Sequence, residues 1–207
     1  YRSAISVQSS LVIHPIYTFG SETQKEKYIP ELIKGNLVGC FGLTESASGS
    51  DPSSMETNFE EVSDGYIING SKNWITNAPI ADVFIIWAFN KEKKVHGFIV
   101  DKNTKGLTTE KINKSSIKIA QAGKIFLKDV KVSKSSILPN TTGWKSVYSC
   151  INKARYGIAW GAMGAAETCW LIAKDYAEKR IINQKPLASK QLIQKKLADM
   201  MTEISLG

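Results

Sequence analysis

The spacing of apolar residues changes twice along this chain of 207 residues. Helical spacing at the start gives way to short runs rich in β-branched and aromatic residues, and helical spacing returns after Gly143. We therefore predict an α+β fold in three parts: the end of an N-terminal helical domain over 1–36, a middle antiparallel β-domain over 37–142, and a truncated C-terminal helical domain over 143–207.

Cap residues give the first expected element boundaries. A helix is predicted over 2–13, and a second helix is predicted to start at Ser21, where Gln24 completes a capping box. Pro30 and Gly35 are predicted to interrupt and then end this second helix.

The middle part contains two turn signals among its short apolar runs. The dipeptides DG at 64–65 and NG at 69–70 are typical of β-hairpin turns. The runs predicted as strands are 66–69, 72–76, 83–88, 97–100 and 124–130. After the strands, one long helix is predicted to end at about Lys179, and Pro186 separates it from a last helix.

Composition narrows the class of protein. A hydrophobic fraction of 43% and a charged fraction of 22% are typical of a globular protein, and no run approaches the roughly 18 apolar residues of a membrane span. Three widely spaced cysteines form no CxxC pair, and two histidines are too few for a persuasive metal site. We expect a reducing compartment, no structural metal and no membrane partner.

The net charge of +8 makes a nucleic-acid partner the first alternative to consider. The lysines are scattered, however: Lys91, Lys93 and Lys94 lie in a predicted hairpin, and Lys195 and Lys196 lie on a predicted helix without interleaved aromatic residues. We therefore predict solvated lysine faces and no nucleic-acid partner, while a basic surface still suits an anionic ligand or an acidic protein.

A polar loop over 40–51 separates the first helices from the strands. It combines glycines with Ser and Thr, so its backbone can approach an anion or heterocycle closely and its N–H and hydroxyl groups can donate hydrogen bonds. An ordinary surface turn is the alternative, and composition alone favours it.

Four sequence blocks change that balance: FGLTE at 41–45, GSD at 49–51, NGSK at 69–72 and WITN at 74–77. In their order and spacing they resemble the acyl-CoA dehydrogenase family. The stretches 1–10 and 152–160 are similar to the members of that family that act on glutaryl-CoA. The resemblance covers nearly the whole chain.

The resemblance implies a fold, an activity and a set of partners. It implies N-terminal helices, a middle β-domain and a C-terminal bundle, with FAD between the last two. The parent protein would oxidise glutaryl-CoA and decarboxylate it to crotonyl-CoA, form a homotetramer, and pass electrons to electron-transfer flavoprotein in a mitochondrial matrix or a bacterial cytoplasm. Both ends are interpreted as cuts through a longer protein, so this chain by itself is expected to be inactive.

The resemblance also assigns a flavin cradle. Thr44 and Thr76 would hydrogen-bond the isoalloxazine ring, and Trp74 would cover one face, although a lone Trp is by default a core aromatic. The complete set of cofactor residues implied in this way is Phe41, Leu43, Thr44, Ser50, Trp74, Ile75, Thr76, Arg180 and Gln191. After Arg180 the chain departs from the family pattern, because Ile181 and Ile182 stand in place of a Phe-Gly pair.

A second group of residues is implied to bind the acyl-CoA substrate. The residues matched to the CoA portion are Ser50, Tyr148, Asn152 and Arg155. Arg2 and Ser3 would meet the second carboxylate of a glutaryl group, since burying that charge requires a cation and hydrogen-bond donors. The alternatives are a surface ion pair for Arg155 and a solvated side chain for Arg2.

No catalytic base is predicted within this chain. The family's glutamate base is expected beyond Gly207, and the other position that some relatives use is occupied here by Ala154. We assign Glu45 and Asp51 to loop structure and Glu167 to its helix. Two alternative functions stay open: another short-chain acyl-CoA dehydrogenase without decarboxylation, and a non-catalytic acyl-CoA or flavin-binding homologue.

Overall fold

The computed structural model describes residues 2–207, and the side chain of Arg2 lies outside that description. The chain divides into two compact units, Tyr1–Ala154 and Arg155–Gly207. The helices are α1 Arg2–Ser6, α2 His14–Phe19, α3 Glu22–Lys34, α4 Trp144–Lys179 and α5 Gln191–Leu206, with a π-helix at Val7–Ile13 joining α1 to α2. The strands are β1 Gly39–Gly42, β2 Asn58–Val62, β3 Gly65–Thr76, β4 Val83–Phe89, β5 Val95–Asp101, β6 Leu107–Lys111, β7 Ala122–Ser133, β8 Ile181–Ile182 and β9 Lys185–Pro186.

The N-terminal helices follow the predicted caps with two differences. The predicted helix over 2–13 is helical but contains the π-helix, and it continues through α2. Ser21 and Gln24 form the reciprocal capping box of α3, and Gly35 ends it in the left-handed region with φ of 76°. Pro30 does not interrupt α3: Tyr28 and Leu32 are buried on either side of it, and we attribute the tolerance of the lost hydrogen bond to this packing.

One seven-stranded sheet forms the centre of the first unit. Its order is β1-β4-β2-β3-β7-β6, with β5 paired to β4. Most pairings are antiparallel, as predicted, but β4 is paired in parallel with both β1 and β2. Ser63 and Asp64 form the turn between β2 and β3, next to the predicted signal at 64–65.

The predicted turn at 69–70 is wrong, because both residues lie inside the continuous strand β3. Gly70 has φ of 145°, and the pairing of β3 with β7 shifts register between Ile68 and Gly70 and again between Lys72 and Ile75. At the first shift β7 has two residues between the paired positions where β3 has one, so the extra residue lies on β7. The NG dipeptide therefore lies opposite a β-bulge of β7 instead of in a hairpin turn.

Strand β4 shows where the core lies. All seven of its residues are buried, and because successive side chains point to opposite faces, they supply two hydrophobic clusters. The cluster that contains Val83, Ile85, Trp87 and Phe89 includes residues of the N-terminal helices and of the start of α4, whereas the cluster that contains Phe84, Ile86 and Ala88 includes residues of β3, β5 and β7.

The second unit contains the later part of α4, the hairpin β8–β9 and α5. The indole Nε1–H of Trp170 donates to the carbonyl of Leu197 at 2.9 Å and links α4 to α5. Many large apolar side chains of this unit are exposed, among them Tyr156, Trp160, Ile172, Leu192 and Leu206. Among the helices of residues 2–207, none has the length and apolar character needed to cross a membrane.

Candidate cofactor site

The loop that follows β1 is fastened to β3 by two adjacent residues of that strand. The Lys72 ammonium donates to the carbonyl of Leu43 at 3.1 Å, and the N–H of Asn73 donates to the carbonyl of Thr44 at 2.8 Å. Lys72 also donates to Glu45 Oε1 at 2.8 Å. Residues 43–45 thus have contacts to β3 on both sides of Thr44.

Glu45 and Lys72 form a buried ion pair. Their side chains are 8% and 0% exposed, respectively. The Glu45 carboxylate also accepts hydrogen bonds from the N–H of Glu56 at 2.6 Å, from the N–H of Thr57 at 3.0 Å and from the Thr57 hydroxyl at 2.5 Å. These donors, together with Lys72, compensate the carboxylate for the water it has lost.

The pKa values of the pair follow from burial and mutual attraction. Burial raises the pKa of the Glu45 carboxyl, but the charge of Lys72 and the hydrogen bonds from Glu56, Lys72 and Thr57 outweigh it, so the net pKa lies below its ordinary value. Burial lowers the pKa of Lys72 to about 8, against the opposing effect of Glu45. At neutral pH both groups are therefore charged.

Trp74 lies at the second register shift of β3, between Lys72 and Ile75, where β3 has the extra residue. Its φ is 60°, a left-handed conformation that is uncommon for a bulky residue, and its side chain is 59% exposed. The Asn73 side chain supports this conformation: its Oδ1 accepts the N–H of Trp74 at 3.0 Å, and its Nδ2 donates to the Ser46 hydroxyl at 3.2 Å. The bulge thus turns an indole ring outward beside the loop.

Thr44 and Thr76 are half-buried at the two ends of this arrangement. Thr76 is paired with Ala122 of β7, and within residues 2–207 we find no hydrogen bond between either threonine hydroxyl and the protein. A pocket of about 320 Å³ lies beside Ala122 and is lined by Lys111, Lys114 and Lys118, among others. The edge of the sheet near Thr76 therefore combines a hydroxyl that is available to a ligand with positive charge.

Other predicted cofactor residues of the first unit differ in their accessibility. Phe41, Leu43 and Ile75 are buried in the hydrophobic clusters, so their side chains are not open to a ligand. Ser50 is exposed, and Asp51 caps the turn Pro52–Ser54 by accepting the N–H of Ser53 at 3.0 Å. As predicted, Asp51 and Glu45 act in loop structure.

Apart from Ser50, the predicted substrate residues of the first unit lie on two helices. Tyr148 is 43% exposed and Asn152 is exposed; four residues apart on α4, they share one face of the helix. Ser3 is half-buried on α1. Arg2 begins α1, and the prediction for its side chain falls outside the described part of the structure.

The remaining predicted residues belong to the second unit. Arg155, Arg180 and Gln191 lie on α4, just after α4 and at the start of α5, and all three are exposed. The residues that replace the Phe-Gly pair form the hairpin β8–β9, whose two central residues, Asn183 and Gln184, have φ of 50° and 61°. Two positive φ values are typical of a type I′ turn. The segment that departs from the family pattern therefore forms a two-residue β-hairpin.

Comparison with known proteins identifies the family. Models of the N-terminal, middle and C-terminal domains of acyl-CoA dehydrogenases match residues 1–36, 40–130 and 141–207. The chain belongs to the acyl-CoA dehydrogenase family. This confirms the resemblance and the α+β fold class; family homologues are FAD-dependent oxidoreductases.

Relatives that are named for different substrates have similar sequence identity to this chain. The chain is 38% identical to a short-chain specific acyl-CoA dehydrogenase of Megasphaera elsdenii, covering 97% of this chain and 54% of the relative. It is 34% identical to a glutaryl-CoA dehydrogenase of Desulfococcus multivorans, covering 98% and 54%. The chain thus spans about half the length of the curated relatives it matches.

A solved structure shows the same fold with a reduced flavin. The glutaryl-CoA dehydrogenase of Mycobacterium smegmatis in complex with FADH2 matches with a TM-score of 0.94 and 40% identity, over 98% of this chain and 52% of that one. Family, fold and the cofactor of the homologues are therefore established, whereas the substrate is not decided by similarity.

Sequence reasoning missed two residues that organise the site. Lys72 ends the NGSK block and Asn73 lies between it and the WITN block, and neither is among the predicted site residues. A lysine flanked by strand residues in a buried segment is the available signal, since a buried lysine requires a partner. Glu45 is predicted to act in the loop, but its partner is not identified by the sequence.

Proposed function

We propose that the full-length protein is an FAD-dependent dehydrogenase of glutaryl-CoA that also decarboxylates the oxidised product to crotonyl-CoA. One observation carries the cofactor part: an exposed indole stands beside a loop, and the neighbouring threonines at 44 and 76 keep hydroxyls without protein partners among residues 2–207. We further propose a homotetramer that transfers electrons to electron-transfer flavoprotein, in a mitochondrial matrix or a bacterial cytoplasm.

The donors present fit a flavin. Bound FAD supplies an acceptor for the hydride that leaves the acyl β-carbon. In this proposal the hydroxyls of Thr44 and Thr76 donate to acceptor atoms of the ring system, and the Trp74 indole covers one face and excludes water from it. Arg180 and Gln191 contribute further cofactor contacts.

The remaining assigned residues would hold the substrate. Ser50, Tyr148, Asn152 and Arg155 bind the CoA portion. Arg2 and Ser3 meet the second carboxylate of the glutaryl group, since a buried carboxylate needs a cation and donors. The α-proton is removed by a glutamate that lies beyond Gly207 in the full-length protein.

The glutaryl assignment rests on the N-terminal block around Arg2, which resembles members that act on glutaryl-CoA. The second candidate is a short-chain acyl-CoA dehydrogenase without decarboxylation. It is favoured by the 38% identity to the Megasphaera elsdenii short-chain enzyme. In that case Arg2 meets no substrate carboxylate.

The two candidates are separated by flavin bleaching in the full-length protein under anaerobic conditions. We expect glutaryl-CoA to bleach the flavin, Arg2→Ala to weaken this response, and Arg2→Lys to retain more of it because the cation remains. Butyryl-CoA is the internal control, because it lacks the second carboxylate and its response should not depend on Arg2.

Other outcomes select other functions. A larger response to butyryl-CoA, unchanged by Arg2→Ala, would establish the short-chain enzyme. A protein that binds FAD but is bleached by neither acyl-CoA, and that lacks a carboxylate base in its full reading frame, would be a non-catalytic homologue.

A further inference from the structure

We propose that Lys72 and Asn73 are positioning residues of the flavin site: they hold the segment 43–45 in a fixed register on β3, so that Thr44 and Trp74 keep one relative position. This inference rests on the proposed function, because it assumes that these two residues meet the flavin. It assigns a role to the buried ion pair and to the Asn73 side chain.

The contacts from β3 lie on either side of Thr44. Lys72 bonds the residue before Thr44 and the residue after it, at 3.1 and 2.8 Å, and the Asn73 N–H bonds Thr44 itself at 2.8 Å. All of these contacts use the main chain of residues 43 and 44 or the side chain of residue 45. They leave the Thr44 hydroxyl without a bond to the strand.

The same short stretch of β3 also fixes Trp74. Asn73 supports the left-handed turn of Trp74 by accepting its N–H, while its Nδ2 holds Ser46 of the loop. Lys72, Asn73 and Trp74 are consecutive, so a shift of the loop along β3 would disturb both the loop and the indole. The two predicted flavin contacts are therefore coupled through one bulge.

A lysine is a costly side chain at a buried position. Lys72 has no exposed side-chain surface, and an apolar residue there would avoid the cost of burying an ammonium group. An apolar side chain, however, could not bond the carbonyl of Leu43 or the carboxylate of Glu45. The directed hydrogen bonds specify register, which nonpolar packing does only loosely.

Glu45, the loop member of the ion pair, is also held by several hydrogen bonds. Glu45 accepts three hydrogen bonds from Glu56 and Thr57, and the Thr57 hydroxyl is also within 3.4 Å of the carbonyl of Ser71. The pair thus connects the loop, the segment that leads into β2, and β3. A single change of charge would affect all three.

The test uses the full-length protein with FAD and the double variant Lys72→Met/Glu45→Gln. Removing both charges together avoids leaving one of them buried without a partner. The matched control is Lys124→Met/Glu110→Gln, which removes an ion pair of 3.3 Å from the same sheet, where the side chains are 40% and 58% exposed. The readouts are the visible absorption spectrum of bound FAD, its dissociation constant, and the melting temperature.

We expect the double variant to bind FAD about tenfold more weakly and to shift the flavin absorption bands, while the control keeps the parental spectrum and affinity; tenfold is the size of effect expected from one lost orienting contact of about 1.4 kcal/mol. Asn73→Ala, at a half-buried position, should shift the spectrum in the same way with a smaller loss of affinity. It keeps the test decisive if the double variant does not fold.

A lower melting temperature with a parental flavin spectrum and affinity in both variants would overturn the inference, because the residues would then act only in stability. Failure of the unsubstituted protein to bind FAD would overturn the proposed function and this inference with it. The two failures are therefore distinguished by the parental protein alone.

Discussion

The two regions assigned to the cofactor differ in how they are held. In the first unit, residues 43–45 are bonded to β3 through a buried ion pair and two main-chain carbonyls. In the second unit, the stretch from Arg180 to Gln191 is largely exposed, and the Leu187 N–H donates to the carbonyl of Arg180 at 2.7 Å across the hairpin.

The two regions differ in which contacts determine their conformation. The conformation of the first region is determined by buried polar contacts with its own unit. The second region is closed by a type I′ turn, while Ile181 and Leu192 are 56% and 76% exposed. Substitutions in the first region should therefore alter both stability and the cofactor, and substitutions in the second should alter stability little.

The largest effect is expected from Lys72→Met alone. It leaves Glu45 charged and buried without its cation, which costs roughly 3 to 5 kcal/mol in free energy of unfolding. Urea denaturation of the full-length protein should show this loss, and adding Glu45→Gln should recover most of it. A single variant as stable as the parent would contradict the ion pair as described.

Gly70→Ala should have the next largest effect. Gly70 has φ of 145°, and a Cβ there would lie 2.5 Å from Thr57 Oγ1 and 2.7 Å from Thr57 Cα. Backbone strain alone costs of order 1 to 3 kcal/mol. The matched control is Gly49→Ala, because a Cβ at Gly49 meets no heavy atom within 4 Å; equal stability of the two variants would refute the close approach.

Because of Glu45, the free energy of unfolding should depend on pH in the acid range. Its folded pKa lies below the unfolded value of about 4.3, so its contribution is present above that pH and is lost as the pH falls through the folded pKa. The difference in unfolding free energy between the parent and Glu45→Gln should therefore be present at pH 6 and shrink below about pH 4. A difference that is constant with pH would show that the carboxylate is not charged in the folded protein.

The smallest effect is expected in the second unit of the chain. Leu192→Gln replaces an exposed leucine and should change the free energy of unfolding by no more than about 0.5 kcal/mol. Thermal unfolding measures this, with the buried Leu32→Ala as the contrasting variant at a cost of roughly 2 to 5 kcal/mol. A large loss for Leu192→Gln would mean that this leucine is buried against other residues instead of facing solvent.

The features that can be predicted from the sequence are those that depend on residues close together along the chain. The capping box at Ser21 and Gln24 and the end of α4 at Lys179 follow from residue types and period. The NG at 69–70 matches a turn signal, but it lies opposite a bulge of β7, and both settings use the conformational freedom of glycine. The pairing of Glu45 with Lys72 joins residues 27 positions apart, and no local pattern specifies such a contact.

The site is predicted unevenly for the same reason. The exposure of Trp74 depends on a bulge that forms only when β3 pairs with β7, so the sequence supplies the residue but not its conformation. Phe41, Leu43 and Ile75 match the family motif, but their side chains belong to the core. A motif identifies a segment, and the packing determines which of its side chains can meet a ligand.

A crystal structure of the full-length protein with FAD tests the central claim most directly. We predict that the isoalloxazine ring lies against the Trp74 indole, with the hydroxyls of Thr44 and Thr76 within hydrogen-bond distance and with the Lys72–Glu45 pair intact. A flavin bound without contact to Trp74 or to either threonine would contradict the account.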